Sequence, residues 1–584
     1  MNRLKEKLEN VKQTVTRYPL LVIILLGVFI VNWMMIEQTY FKYGTLQRTL
    51  IIAVLLNIVA QLVYERFFKQ PKDRMLLYGA ALGLSVGFYF LLKGTALTDD
   101  QKDIQTGVLF FALWIAMIWV PTIKHRLTFN RSFIVVFKAF FTTLLFTFVM
   151  SLGLSIIIFT IDNLLFPLPF EFFSHTLNII ITIFSPLFFL SLIPVYGGRF
   201  YRLNEQQEER VAAATSIPLI LERLLTYIIV PLVSIYTVVV TIYILMNIGQ
   251  AFWSNDLLES ILITYIAIVV IVIILISEVD QPFVIMFRKI LPKVLLPIVA
   301  LQMISSLLSI GDVGITHGRY FVLVFGIFAM ITSVLYSFFT KHQQGWIAVA
   351  FIVLSLLSIL PPTDAFTVSR VNHVQALEKV LIKNGMFENH QVTASSEVSI
   401  HDQEKISQLV EYIDQMNYTQ KISWLPSNIM YLHNFEQFFG FQPFPERNMN
   451  TGTYQSSSLP YNQMVIDVSD YHHVIPLSVS TYNGKEGMTE SNSFTHEQKT
   501  YQVSTHMAKE EIIISLKENN EVLGELNVID VFDEVLTHGN ELTLEQATVT
   551  KTYERFNLSI VVSLVNRGSQ DYDGDIYILI EVKE

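Results

Sequence analysis

Residues 19–36 read PLLVIILLGVFIVNWMMI, a run without a charged side chain. A helix of this length spans roughly 27 Å, close to the thickness of the hydrocarbon core of a bilayer. The sequence Asn32-Trp33-Met34-Met35 near its end lacks the small residues of a signal-peptide cleavage site. We therefore predict an uncleaved first membrane span, preceded over residues 1–18 by an amphipathic cytoplasmic segment.

Ten further apolar runs predict a polytopic α-helical membrane bundle of about eleven spans within residues 19–362. They lie near residues 50–64, 75–92, 108–123, 134–161, 177–195, 219–246, 257–276, 290–310, 319–339 and 345–361. Two of them are weaker signals, because Pro292 and Pro297 interrupt one run and the last run is short.

Composition divides the chain into two parts. Hydrophobic residues make up 52% of the 584 residues and charged residues only 15%, whereas soluble domains carry about 25% charged residues. Residues 1–362 hold 26 basic and 19 acidic side chains, and residues 363–584 hold 14 and 31. We read the second part as a soluble, acidic α+β domain, and its charge argues against nucleic acid as a partner.

The basic side chains predict an orientation. With the N-terminus in the cytoplasm, the inner segments carry 19 Lys and Arg and the outer loops carry 5. Such residues near span ends are retained in the cytoplasm. An odd number of spans then places residues 363–584 outside the cytoplasm. We predict that the membrane is that of a bacterial cell and that the lipid bilayer is a partner of the protein.

The acidic part has its own secondary-structure pattern. Apolar residues at helical spacing predict helices around Val371–Leu381 and Ile406–Met416. Short β-rich runs separated by turn residues predict strands, which are Met464–Val468, Val474–Val479, Glu511–Leu516, Leu558–Leu564 and Asp575–Val582.

Several chemistries have no support in the sequence. The chain has no cysteine, which excludes disulfides, thiolate metal sites and cysteine nucleophiles. It also has no Walker loop, dinucleotide-binding glycine pattern, nucleophile elbow or zincin motif. We predict neither a metal nor a cofactor, and no catalytic residue can be named.

One turn carries a recognisable motif. The stretch Ser309-Ile-Gly-Asp-Val-Gly-Ile-Thr-His-Gly-Arg-Tyr320 resembles the signature of the bacterial membrane family known as domain of unknown function 4153. Ser309 and Val313 depart from that signature, which has Arg and Tyr there. The resemblance implies the same architecture, a membrane bundle followed by an acidic tail, and implies no activity.

The motif also contains the main candidate site. Gly314 permits a tight turn, Thr316 can cap the next helix, and Arg319 can reach lipid headgroups. This structural interpretation competes with a functional one, in which Asp312, His317 and Arg319 form a small polar site at the outer surface.

Polar residues on or near the spans are further candidates. Asp162 ends the fifth span, and Glu222 and Arg223 open the seventh, where they can pair with other parts of the bundle. Other polar residues on spans can line a pathway or stabilise the bundle, and these are Asn57, Gln61, Lys138, Asn178 and Gln302.

We therefore expect an integral membrane protein that anchors a sensing or binding domain facing the cell envelope, with an envelope ligand or membrane protein as partner. A transporter of a small solute or lipid is an alternative. A membrane glycosyltransferase-like enzyme is a second one, in which Asp99, Asp100 and Asp103 of an outer loop act as base or metal ligand.

Overall fold

Long apolar runs fold into helices because a bilayer leaves backbone polar groups no partner outside their own segment. A computed structural model of the chain describes residues 12–37, 43–95, 97–200, 203–247, 256–310, 314–430, 434–444, 455–460, 464–480, 489–497, 499–507, 511–519, 521–539, 542–567 and 572–583. These residues form two compact units, Met1–Pro443 and Phe444–Glu584.

The first unit is helical. Its bundle helices are α1 (Pro19–Glu37), α2 (Gly44–Phe67), α3 (Pro71–Gly94), α4 (Asp99–Trp119), α5 (Phe129–Leu164), α6 (Phe170–Ile179), α7 (Ser185–Ser191), α8 (Glu205–Thr215), α9 (Leu219–Leu224), α10 (Val230–Asn247), α11 (Asp256–Ile276), α12 (Pro282–Ile310), α13 (His317–Phe338) and α14 (Trp346–Ile359). Two π-helical turns, Ile180–Phe184 and Leu225–Ile229, join α6 to α7 and α9 to α10 without a break.

Most of these helices are suited to crossing a membrane. Among the described residues, nine continuous helices are long and apolar enough to do so, and two shorter apolar helices accompany them, Ser260–Ile276 and Gln343–Ile359. Each predicted apolar run falls on one of these eleven segments. Exposed Leu, Ile, Val and Phe side chains cover much of the outer surface of the bundle, which is the surface that lipid requires. The span count of eleven and the orientation stay predictions.

The connections between the helices form two groups, one at each end of the bundle, and contacts within each group hold it together. At one end, the Arg17 guanidinium lies 2.8 Å from a Glu65 carboxylate oxygen. There the Arg66 side chain also donates to the Ile123 carbonyl oxygen at 2.8 Å. All four residues lie in or beside segments predicted to face the cytoplasm. We call this the basic end of the bundle.

Connections predicted to face outward meet at the other end, which we call the motif end. There the Arg48 guanidinium lies 3.0 Å from an Asp99 carboxylate oxygen. The Gln101 amide donates to the Met416 carbonyl oxygen at 2.9 Å. The second contact ties a bundle helix to a segment far along the chain.

That segment belongs to a helical lobe, residues 365–443, at the motif end of the first unit. It contains α15 (Ala365–Lys383), the two-stranded hairpin β1–β2 (Phe387–Glu388 and Gln391–Val392), α16 (Ile400–Gln415) and α17 (Asn434–Phe439). Its own core includes Leu377, Leu409 and Phe439, and Leu97 of the bundle packs against it. The lobe is therefore both a small folded body and a part of the membrane unit.

The second unit is rich in strands. They are β3 (Gln455–Ser458), β4 (His473–Ser480), β5 (Thr489–His496), β6 (Lys499–Met507), β7 (Ile512–Glu518), β8 (Glu521–Asn527), β9 (Thr548–Thr552), β10 (Phe556–Arg567) and β11 (Tyr572–Val582). One antiparallel sheet has the order β3-β10-β11-β4 with β9 beside β10, and the other is the meander β5-β6-β7-β8. Helix α18 (Val528–Leu536) buries Phe532 in the core of the unit.

Some expectations meet a different arrangement. The compact units divide between Pro443 and Phe444, so the two predicted tail helices and the predicted strands lie in different units. The domain boundary predicted after residue 362 marks the membrane exit and stays a prediction. The strand predicted at Met464–Val468 is wrong, because these residues form no strand and pair with none of the described strands. Of the predicted amphipathic segment, residues 1–11 lie outside the described residues.

Candidate functional site

The motif turn is built by a glycine that packs against α15. Gly314 has φ of +102°, a conformation that residues with a Cβ rarely adopt. A Cβ at this position would lie 2.5 Å from the Asn372 side-chain oxygen. The same oxygen accepts a hydrogen bond from the Ile315 N–H at 2.8 Å. The turn is thereby held directly on the lobe.

The next residues start helix α13. The Thr316 hydroxyl accepts from the Arg319 N–H at 3.3 Å and caps the helix. The Tyr320 hydroxyl donates to the Thr363 carbonyl oxygen at 2.6 Å, and Arg319 is half-buried. Asp312 and Val313 lie outside the described residues, so the polar site hypothesised for Asp312, His317 and Arg319 stays a prediction.

One hydroxyl group joins three helices. The Tyr412 hydroxyl of α16 accepts from the backbone N–H of His317, the first residue of α13, at 2.9 Å. It lies 2.9 Å from His317 Nδ1 and 2.9 Å from the hydroxyl of Ser369, which is on α15. We call this contact the Tyr412 junction. Because these bonds lead to both α13 and α15, the junction fixes the lobe to the first residue of α13.

A buried histidine completes the junction. The His373 ring stacks on Tyr412 with 4.0 Å between centroids, and the residue is fully buried. Its Nδ1 lies 2.9 Å from the Ser369 carbonyl oxygen, while its Nε2 has no hydrogen-bond partner among the described residues. Burial lowers the pKa of His373, which the bond to Ser369 opposes and the nearby His317 reinforces. The neutral ring is therefore the form that fits this site.

A surface pocket of about 430 Å³ lies in the same lobe. We call it the lobe pocket. It is lined by residues of α15, of the turn inside the β1–β2 hairpin and of the connection that follows α16, including Arg370, Glu378, His390, Lys421 and Trp424. Its volume lies in the range of small-ligand sites.

The lobe pocket carries more positive than negative charge. Neither Arg370 nor Lys421 makes an ion pair with another described residue, whereas the lining carboxylate, Glu378, accepts from the Trp424 indole N–H at 3.2 Å. Partial burial lowers the pKa of Lys421, repulsion from Arg370 lowers it further, and attraction to the Asp364 carboxylate opposes both. An anion between the two cations would relieve this repulsion.

Two of the acidic candidates at the span ends have hydrogen-bond partners. Asp162 is exposed, and its carboxylate accepts from the Leu168 N–H at 2.7 Å. The Glu222 carboxylate accepts from the Gln281 amide at 2.8 Å, and the neighbouring Arg223 is exposed. Nothing in this geometry gives the three residues a common site.

Two of the acidic residues considered as an enzyme site, Asp99 and Asp103, are bound by the guanidinium of Arg48. Arg48 makes hydrogen bonds to the carboxylates of both Asp99 and Asp103, at 3.0 and 2.6 Å. Within the described part of the chain, no group of three or more His, Asp or Glu side chains is placed to hold a metal ion.

Sequence reasoning missed Ser369, His373 and Tyr412. The first two are four residues apart on one face of α15, a spacing that brings side chains together on a helix. They interrupt the apolar face of an amphipathic helix with polar groups. That interruption is the signal that could have marked them, although Tyr412 on a different helix could not have been paired with them.

The fold and this junction define a helical protein that has nine candidate membrane-spanning helices among its described residues and carries a docked helical lobe. The family can be stated as well. The chain belongs to the family described as Domain of unknown function (DUF4153), whose model matches residues 20–397. The matched region takes in the bundle, the motif turn and α15. No curated protein and no solved structure matches the chain.

Proposed function

We propose that this protein is a membrane-anchored sensing or binding protein of the bacterial cell membrane, with its helical lobe at the envelope face. The lobe would bind an anionic ligand in the lobe pocket and convey its state to the bundle through the Tyr412 junction. The charge bias of the connections supports this orientation, and residues 444–584 would lie on the same outer side.

Helix α15 supports the ligand-binding step. Arg370 lines the lobe pocket, and Ser369 and His373, one residue before and three after it, belong to the Tyr412 junction. A ligand that shifts Arg370 therefore acts on the same helix turn that holds the junction.

The Tyr412 junction is the observation that carries the proposal. An anchor that only tethers a domain needs no buried polar contact with a membrane helix, because a flexible linker suffices. Here three elements meet at one hydroxyl, beside a histidine with a ring nitrogen that has no hydrogen-bond partner in the described part of the chain. Such a polar network is sensitive to small displacements, since a buried group that loses its partner costs about 1–3 kcal/mol.

The ligand step is tested by calorimetric titration of the full chain in detergent with inorganic phosphate and with glycerol phosphate. The double variant Arg370→Gln/Lys421→Gln is expected to bind at least about tenfold more weakly than the wild type. Lys379→Gln is the matched control, because this exposed lysine is also on α15 but does not line the pocket. Equal binding by the double variant, or none by the wild type, would refute the ligand step.

The coupling step uses the absence of native cysteine. A fluorophore on Gly318→Cys, an exposed position in the first turn of α13, is expected to change its emission when the probe binds. Tyr412→Phe should keep the binding but lose most of this change, because it removes the hydroxyl that joins the helices. An unchanged response in Tyr412→Phe would mean that the junction does not transmit the ligand state.

Transport is a second candidate function, favoured by polar groups inside the bundle. Asn57 is fully buried with no hydrogen-bond partner for either side-chain atom among the described residues, and Gln302 Nε2 likewise has none. A water-filled path would hydrate them. Single cysteines at Asn57, Lys138, Asn178 and Gln302 should then react with a water-soluble reagent, and a failure of all four to react would end the transport hypothesis.

A further inference from the structure

A second cavity lies at the basic end of the bundle, far in sequence from the lobe pocket. It has a volume of about 350 Å³ and lies between the end of α4, the start of α5 and the start of α14. We call it the interfacial pocket. Because the helices that frame it are candidate spans or apolar helices, the pocket is at the level where the bundle leaves the hydrocarbon layer.

One lysine and two histidines line the interfacial pocket, and no carboxylate does. Lys124, His125 and His342 are among the lining residues, and none of the lining residues is Asp or Glu. Lys124 and His342 make no ion pair within the described part of the chain. Burial lowers the pKa of His125, with further contributions from Arg66 and Arg126. The local field is thus positive from several directions.

The nearest acidic partner is already engaged. The Glu278 carboxylate lies 3.2 Å from the Arg131 guanidinium and 3.5 Å from the Lys341 ammonium. The Thr128 hydroxyl also lies 3.5 Å from it. With these partners, Glu278 has little capacity left to neutralise the lining cations, so the pocket itself supplies no counter-charge.

Aromatic side chains form the apolar wall. Trp119, Phe129 and Trp346 line the cavity, and Trp346 is 63% exposed although it begins a strongly apolar helix. Tryptophan is enriched where a membrane protein crosses the boundary between headgroups and acyl chains. A ligand here would therefore meet cations and an aromatic wall within one cavity.

The loop that carries the cations is held in place by a buried arginine. The Arg66 side chain donates to the carbonyl oxygens of Ile123 and Lys124 at 2.8 and 2.5 Å. Lys124 has φ of +51°, and His125 Nδ1 accepts from the Leu127 N–H at 3.0 Å. Holding Lys124 in this unfavourable backbone region costs free energy, on the order of 1 kcal/mol or more, so the loop is shaped by its contacts.

We infer that the interfacial pocket binds the phosphate-bearing headgroup of an anionic phospholipid. Lys124 holds the negative charge, the His125 and His342 rings supply hydrogen bonds to phosphate oxygens, and the acyl chains run along Trp119 and Trp346 into the bilayer. Basic pockets between spanning helices recognise acidic headgroups in this way. A zwitterionic lipid brings an extra positive group to a cavity without a carboxylate, which gives the pocket its selectivity. This inference is independent of the proposed function in the lobe.

Native mass spectrometry of the full chain, with defined lipids added to the detergent solution, tests the inference. The wild type is expected to retain phosphatidylglycerol at least about tenfold better than phosphatidylcholine. The double variant Lys124→Gln/His342→Gln should bind the two lipids equally. Lys72→Gln is the control, since it removes an exposed positive charge at the start of α3 outside the pocket and should keep the preference.

Each other result has a definite meaning. A wild type without preference, or a double variant that keeps it, overturns the inference. If inorganic phosphate at equal concentration displaces phosphatidylglycerol, the pocket recognises a soluble phosphate and the lipid assignment is wrong. Both substituted residues are exposed, and the wild-type comparison needs no variant, so a folding defect cannot leave the question open.

Discussion

The two ends of the bundle are held together by different chemistry. At the basic end, the ion pair between Arg17 and Glu65 has both side chains largely buried, with 12% and 15% exposed. At the motif end, the Tyr412 junction contains hydroxyls, backbone groups and imidazole rings. A buried ion pair is intolerant of any change that separates its charges. A network of neutral groups can exchange partners at a smaller cost, so the motif end is the end suited to movement.

Additional contacts increase this difference. The Gln61 amide donates to Glu65 at 2.9 Å, and the Arg17 side chain donates to the Ile193 carbonyl oxygen at 2.9 Å. Charged hydrogen-bond clusters of this kind rigidify the elements that they join. At the motif end, His373 Nε2 has no hydrogen-bond partner among the described residues, and this atom can take a proton or accept a hydrogen bond from a new donor.

The strongest test of the comparison is Glu65→Gln. Removal of the carboxylate charge leaves Arg17 buried without its counter-ion, which is expected to lower the free energy of unfolding by about 3–5 kcal/mol. The matched control is Asp99→Asn, because Asp99 also pairs with an arginine but has a side chain that is 75% exposed. This control should lose less than about 1 kcal/mol. Denaturant unfolding in detergent micelles gives both values, and similar losses would show that burial does not distinguish the two pairs.

A smaller effect is expected from Gly314→Ala in the motif turn. The positive φ of Gly314 and the close approach of Asn372 oppose a Cβ, so a loss of about 1–3 kcal/mol is expected. Gly318→Ala, four residues later, is the control. A Cβ there meets only Thr316 Oγ1, at 4.0 Å, and alanine favours the helix by up to about 1 kcal/mol. The same unfolding measurement should therefore move in opposite directions for the two variants.

The smallest effect is a dependence on pH. The folded pKa of His373 is lowered, so the unfolded chain binds more protons than the folded one once the pH falls below the ordinary value of about 6.5. Stability contributed by the neutral ring is present above that pH and is lost as the pH falls toward the folded pKa. His373→Phe keeps an aromatic ring against Tyr412 and should reduce the decrease in melting temperature between about pH 7.5 and 5.5. An identical decrease in the variant would assign the effect to other groups, such as His125 or His473.

Hydrophobicity made the helices of the bundle predictable. Contacts between residues that lie far apart in the sequence could not be predicted. Each apolar run corresponds to a helix, because backbone satisfaction in lipid is a local requirement. The Tyr412 junction is different, since Tyr412 lies 95 residues from His317. A single sequence contains no information on which hydroxyl meets which imidazole.

The strand-rich unit shows the same limit. The runs at Val474–Val479 and Leu558–Leu564 are apolar and lie in strands β4 and β10. Strand β5 reads TESNSFTH, and it is a strand because β6 pairs with its whole length. Residues 464–468 read MVIDV, a run of strand-forming residues that pairs with no strand among the described residues. Strand-forming residues therefore predict strands only where a neighbour completes the hydrogen bonds.

Each of the two π-helical turns contains one residue more than an α-helical turn, within a continuous helix. Ile180–Phe184 and Leu225–Ile229 wind more widely than the turns beside them, so the side chains beyond each turn are rotated by about 100° from the α-helical continuation. A one-residue deletion inside either turn would restore regular winding and turn a different stripe of the downstream helix toward its neighbours. The number of residues in each of these two turns thus sets which side of the downstream helix faces the bundle.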